Sequence, residues 1–203
     1  MVSFTAREVR DIVISMLVIA VIFAYLLSGG NMNNNFIALI PALLVAVGLG
    51  FVLHELAHKF VAVRYGFYAE FRMWMEGLIF ALVTAFIFKF VFVAPGAVYI
   101  HGEHISREQN GKISIAGPLV NIVLALLFLG LTPFINHNPT DLGGLFANIV
   151  VYGFIINSIL AAFNLIPLGI FDGAKVLKWN PILWGITFAA AVILAIKAYF
   201  GIY

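Results

Sequence analysis

The chain has no cysteine among its 203 residues, and only 10% of them are charged. The missing cysteine excludes disulfides and any Cys-ligated metal site. The missing charge excludes water as the main solvent, because soluble domains carry about a quarter charged residues. There is no Lys/Arg-rich block and the formal net charge is +2, which gives no footing for nucleic acid as a partner. No A-x-A pattern follows the first apolar run, Ile12 to Leu27, and that run is long for a signal-peptide core. It reads as an uncleaved first span. No repeat, composition shift or long polar linker divides the chain, so residues 1–203 read as a single transmembrane domain. Nothing in the sequence specifies an oligomeric state.

Apolar residues fill the place of the missing charge. They make up 64% of the chain, and mean hydropathy is +1.10. The fold class expected is an all-α membrane protein, a polytopic helical bundle of five to six spans in the lipid bilayer. Spans are expected at 11–28, 36–63, 113–134, 143–164 and 182–200. A sixth block, "GLIFALVTAFIFKFVFVAPGAVYI" at 77–100, is less regular. Its first half suits a short helix. Its second half is crowded with Phe, Ile and Val and breaks at Pro95-Gly96, as a small β or re-entrant element would. Basic residues give an orientation. Arg7, Arg10, Lys59, Arg64, Arg72, Arg107, Lys112, Lys175 and Lys178 fall on one side of a five-span arrangement, whereas loops 28–35 and 135–144 hold no Lys or Arg. The expectation is a multi-pass cell-membrane protein with a cytoplasmic N-terminus, in which block 77–100 begins and ends on the inner side.

The stretch "GFVLHELAHKFVAVRYG", residues 50–66, sets three ionisable side chains into an apolar run. Ionisable groups inside a span are costly and are functional candidates by default. His54 and His58 stand four apart, on one face of a helix one turn apart. Two imidazoles so placed can share one Zn2+, with Glu55 beside them as general base; this is the H-E-x-x-H arrangement. The competing reading is a helix end in water, which Lys59 and Arg64 partly favour.

A catalytic zinc site usually has three protein ligands. His101 and His104 sit with Glu103 in a polar segment and suit a solvated loop. His137 falls in the expected outer loop, and Glu70 and Glu76 read as surface charge near Arg64 and Arg72. Asp172, in "FNLIPLGIFDGAKV", is the better candidate. It follows the fourth strong span, and Pro167, Gly169 and Gly173 would break the helix there, which is tolerated where backbone lines a polar cavity. Asn121 and Asn164 are candidates for positioning substrate or an oxyanion, with interhelical hydrogen bonding as the alternative.

His54-Glu55-x-x-His58 within a span, followed by Asn164-x-x-Pro167-x-x-x-x-Asp172-Gly173, resembles the site-2 protease family of intramembrane zinc metalloproteases. Gly117, Pro118 and Asn121 in "AGPLVN" look like that family's G-P-x-x-N element. The resemblance spans residues 54 to 173. It implies a catalytic core of about 36–64, 113–134 and 143–173, one zinc held by His54, His58 and Asp172, and Glu55 as base. It also implies transmembrane protein substrates cut within or near the bilayer. Two rival classes remain: an intramembrane metal-ion transporter, and an inactive relative that only binds helices.

Overall fold

A hydrocarbon core about 30 Å thick requires roughly 20 residues of helix, and that length sorts the helices of this chain. The computed structural model describes residues 2–89, 95–102, 104–135 and 141–201. Among them, five helical stretches are long and apolar enough to cross a membrane: Ala6–Leu27, Asn34–Arg64, Arg107–Phe134, Leu142–Asn164 and Pro181–Tyr199. These are the five expected spans, each shifted by a few residues at its ends. The protein is a helical membrane bundle.

In chain order the elements are α1 (Ala6–Leu27), α2 (Asn34–Val47), α3 (Leu53–Arg64), β1 (Tyr68–Met73), α4 (Met75–Phe88), β2 (Gly96–His101), α5 (Arg107–Leu131), α6 (Asp141–Asn164), α7 (Asp172–Trp179) and α8 (Pro181–Tyr199). A π-helical turn, Gly48–Val52, joins α2 to α3. Short polar residues start the helices by accepting otherwise unpaired backbone N–H groups. Thr5 caps α1 and Asn33 caps α2. Ser106 and Gln109 form a reciprocal capping box on α5. Asn180 caps α8, with Pro181 in its first turn.

Block 77–100 does not supply a sixth span. Helix α4 has 14 residues, about 21 Å of rise, and stops at Lys89, whose backbone is left-handed with φ 51°. The Lys89 side chain lies against Gly30, just beyond the end of α1. Residues 90–94 lie outside the described residues; the chain then enters β2. Trp74 N–H donates to the Pro95 carbonyl at 2.9 Å, so the segment leaves and returns at one level of the bundle.

Strand β2 pairs antiparallel with β1, Tyr68 opposite His101 and Met73 opposite Gly96. The partner strand β1 is a feature the sequence reading passed over. Its residues alternate, Ala69, Phe71 and Met73 against Glu70 and Arg72, as one face buried and one polar require. Buried Phe71 meets Phe51 edge-on, ring centres 5.6 Å apart. This contact seats the sheet on the π-helical turn.

The second edge of β1 is closed by carboxylates of α1. Glu8 Oε1 accepts from Phe71 N–H at 3.0 Å, and Asp11 Oδ2 accepts from Met73 N–H at 3.4 Å. Glu8 Oε2 accepts from Lys59 Nζ at 2.5 Å, and Lys59 also donates to the Ser3 carbonyl at 2.6 Å. Glu8 and Lys59 are 0% and 1% exposed. Lys59 therefore does not mark a solvated helix end, as the sequence partly suggested. Glu70 also departs from its expected surface position: it is buried and held by Thr5, Tyr68 and Arg72. In both cases a partner distant in sequence makes burial tolerable. Breaking a buried pair from one side leaves an uncompensated charge and costs about 3–5 kcal/mol. Lys59→Met should lower the SDS-unfolding midpoint of the purified protein by an amount in that range. Adding Glu8→Gln, which keeps an oxygen for Phe71 N–H, should restore most of the loss.

Helix α5 is the spine, packed against α3, α6 and α7. Helix α6 ends at Asn164, and the irregular turn that follows delivers Asp172 to the first position of α7. Trp184 of α8 pins this turn, its indole N–H donating to the Leu165 carbonyl at 2.9 Å. Gly173 passes so close beneath that a Cβ there would lie 2.1 Å from the same oxygen.

Candidate metal centre

His54 and His58 face the same way because they are one turn apart on α3, and both are buried. Their Nε2 atoms are 3.0 Å apart. Asp172 reaches them from α7, its Oδ2 lying 3.1 Å from His58 Nε2 and 3.5 Å from His54 Nε2. Among the described residues, these three form a group whose ligand atoms all lie within 4.8 Å of one another and could hold a metal ion. They come from positions 54, 58 and 172, and the break after α6 brings the last to the first two.

The far side of each ring decides what its near side can do. His54 Nδ1 lies 2.6 Å from Asn121 Oδ1, and His58 Nδ1 lies 2.8 Å from the Ile113 carbonyl. A carbonyl only accepts, so each neutral ring carries its proton on Nδ1. Both Nε2 lone pairs then point at one spot, together with a carboxylate. Three electron-rich atoms at that spacing need positive charge between them, and a His2Asp set with N and O donors suits zinc. The Asp172 side chain is only 12% exposed, so little water shares the charge of its carboxylate. Lys175 faces the other oxygen, Oδ1, at 3.5 Å.

Gly117 of α5 forms the floor. A Cβ there would lie 2.5 Å from His58 Nε2 and 2.6 Å from His54 Nε2. Its backbone thus approaches the point where the ligands converge, and no larger residue fits. From sequence, Gly117 stands out only as part of the G-P-x-x-N element.

Known proteins bear on the chain at this point. It is 46% identical to a Methanocaldococcus jannaschii protein named "Putative zinc metalloprotease", over 184 residues that cover 90% of each chain. The chain belongs to this zinc metalloprotease family. A second protein of that archaeon, named a zinc metalloprotease, is 26% identical over 87% of this chain and 44% of its own length. A Synechocystis protein, also named "Putative zinc metalloprotease", is 36% identical over 79% of this chain and 35% of its own length. No protein-family model matches the chain, and no solved structure matches it. Membership names the metal, and the His54–His58–Asp172 group is a suitable place for it.

The remaining candidates separate cleanly in this metalloprotease. Glu55, 8% exposed, lines a cavity of about 520 Å³ with His54. Asn164 lines the same cavity, its amide donating to the Leu160 carbonyl at 3.0 Å. Asn121 is engaged within the frame. Its Oδ1 meets His54, and its Nδ2 donates to the Gly50 carbonyl and to Asn157 Oδ1, both at 2.9 Å. Neither amide hydrogen is left for a substrate. His101 is exposed at the end of β2 beside the Tyr68 ring, and exposed His104 stands apart from the ligand group. Glu76 is exposed, as expected. Glu103 and His137 lie outside the described residues.

Two residues of the frame, Lys175 and Asn157, were not singled out from sequence. Lys175 had a signal, its i,i+3 spacing from Asp172. Asn157 had none, because its role exists only between helices. Gly117→Ala should purify with zinc well below one equivalent while keeping its helix content, as read by metal analysis and circular dichroism. Asp172→Ala should weaken zinc binding in the same assay.

Proposed function

We propose that this zinc metalloprotease is of the site-2 type: a multi-pass membrane enzyme that hydrolyses peptide bonds within or near transmembrane segments of protein substrates. The observation that carries the reading is the company the ligand group keeps. His54 and Glu55 open on a cavity walled by Ile19 and Phe23 of α1, Phe51 before α3, and Ile156 and Leu160 of α6. All of these stretches have spanning length. An apolar vestibule between such helices suits an apolar segment, not a polar loop. The one-sided distribution of basic residues favours a cytoplasmic N-terminus with the site nearer that face.

In this reading His54, His58 and Asp172 hold the metal. Zinc, when bound, supplies Lewis acidity toward the scissile carbonyl and toward water. Glu55 takes a proton from the attacking water as it adds to the carbonyl carbon, and returns a proton to the leaving nitrogen as the C–N bond breaks. A helical substrate must unwind first, because its carbonyls are committed to i to i−4 bonds. Strand β2 offers the unwound segment a partner. It contributes Gly96, Ala97 and Tyr99 to the cavity wall, and among the described residues only β1 pairs with it, leaving one edge for an extended peptide. Asn164 lines the same cavity, and in this reading it positions the substrate.

The test is cleavage of a transmembrane substrate by the full chain in liposomes. The wild type should yield two fragments, and a zinc chelator should stop the reaction. Glu55→Gln should keep its zinc and lose activity by about 10²–10⁴-fold. Full activity in Glu55→Gln would overturn the mechanism; metal flux without cleavage would point to a transporter.

A further inference from the structure

Two buried side-chain amides, Asn121 and Asn157, stand in line behind His54, and the second belongs to no recognised motif of this sequence. Asn157 of α6 is 0% exposed. Its Nδ2 donates to the Gly153 carbonyl, one turn back on its own helix, at 2.8 Å. Its Oδ1 accepts from Asn121 Nδ2 at 2.9 Å. The π-helical turn leaves room for it: a Cβ on Gly50 would lie 3.0 Å from Asn157 Oδ1 and 3.3 Å from its Nδ2. The same residue, Gly50, gives its carbonyl to Asn121.

Followed from Gly153, the line has only one polarity. A backbone carbonyl accepts, so Asn157 must turn its NH2 toward Gly153 and its oxygen toward Asn121. Asn121 must then spend both amide hydrogens, one on Asn157 and one on Gly50, and present its oxygen to His54 Nδ1. His54 must carry its proton there and leave Nε2 bare. Partners behind a metal-bound histidine fix its tautomer and ring orientation in this way. The Gly50 carbonyl supplies part of the constraint and Asn157 the rest. Without Asn157 one Asn121 N–H is buried unpaired, and a turned amide, offering N–H to His54, competes.

We propose that Asn157 is a positioning residue of the metal centre, holding the His54 tautomer that binds zinc through Asn121. The proposal rests on His54 as a zinc ligand, and the experiment separates the two.

Zinc affinity of the purified full chain is measured by competition with a chromophoric chelator. Asn157→Leu should weaken zinc by roughly 10-fold or more, within the range for such partners. Asn157→Asp can still accept from Asn121 and, as the neutral acid, donate to Gly153; it should stay within about 2-fold of wild type, well below that range. Ser158→Ala is the control. Ser158 is equally buried on α6 but, among the described residues, bonds only to the Phe154 carbonyl, and its loss should leave affinity unchanged. Gly50→Ala crowds Asn157 from the opposite side and should weaken zinc in the same direction, which keeps the test alive should Asn157→Leu not fold. Imidazole ¹⁵N spectra of the metal-free chain provide a second readout. In wild type His54 should be protonated at Nδ1, and in Asn157→Leu the Nε2-protonated form should become visible. Wild-type affinity and an unchanged His54 tautomer in folded Asn157→Leu and Gly50→Ala would overturn the proposal. If His54→Ala bound zinc as tightly as wild type, the fault would lie instead with His54 as a ligand.

Discussion

His54 Nε2, His58 Nε2 and the Asp172 carboxylate crowd one another where water has little access. In a low-dielectric interior, lone pairs at such spacing repel strongly unless a cation sits among them. The surrounding structure serves to keep them converged. Each ring is held from behind by an acceptor on α5, and Asp172 is delivered by a helix break pinned through Trp184. Relaxing any one of these would let the three donors swing apart, which is the cheaper arrangement for an empty cluster.

Helix α5 contributes no ligand, yet it sets more of the geometry than any other element. Within three turns it supplies the Ile113 carbonyl to His58, the Gly117 floor beneath both rings and the Asn121 amide to His54. The three parts act on different degrees of freedom: one ring's tautomer, the depth of the pocket, and the other ring's tautomer. A side chain at 117 would force α3 and α5 apart and so disturb all three. The glycine in the G-P-x-x-N element therefore has a steric reason specific to the ligands, beyond helix packing in general.

What the sequence discloses follows from how far each constraint reaches. The spans were legible because bilayer thickness imposes a length on every apolar run. The histidines were legible because four residues is one turn of helix, and Asp172 because Pro167, Gly169 and Gly173 announce a break at the right depth. Strand β1 carried a readable signal, the alternation from Ala69 to Met73, but the charges of Glu70 and Arg72 suit a surface segment equally well. The burial of Lys59 and Glu70 was not legible, since the partners lie 51 and 65 residues away. Nor was Asn157, whose contacts arise only where α6 meets α5 and the π-helical turn.

The Glu8–Lys59 pair presents an energetic puzzle that its location resolves. Apolar side chains of similar size would often be at least as stable as a buried ion pair, and between helices in a bilayer apolar contact supplies little drive and no register. Hydrocarbon surfaces slide; directed bonds do not. Glu8 joins α1 to Lys59, the residue after His58, and through Phe71 N–H to β1. Those bonds tie α1 to the helix that carries the ligands and to the strand beside β2. The cavity is walled by these same pieces, α1, the start of α3 and β2. With a substrate strand paired to β2, as proposed, a shift of β1 along α3 would move β2 past Glu55 and change which peptide bond faced the His54–His58–Asp172 group. On that proposal the buried pair is a fixed point between scissile-bond register and the position of that group, two quantities that apolar packing alone could not hold in step.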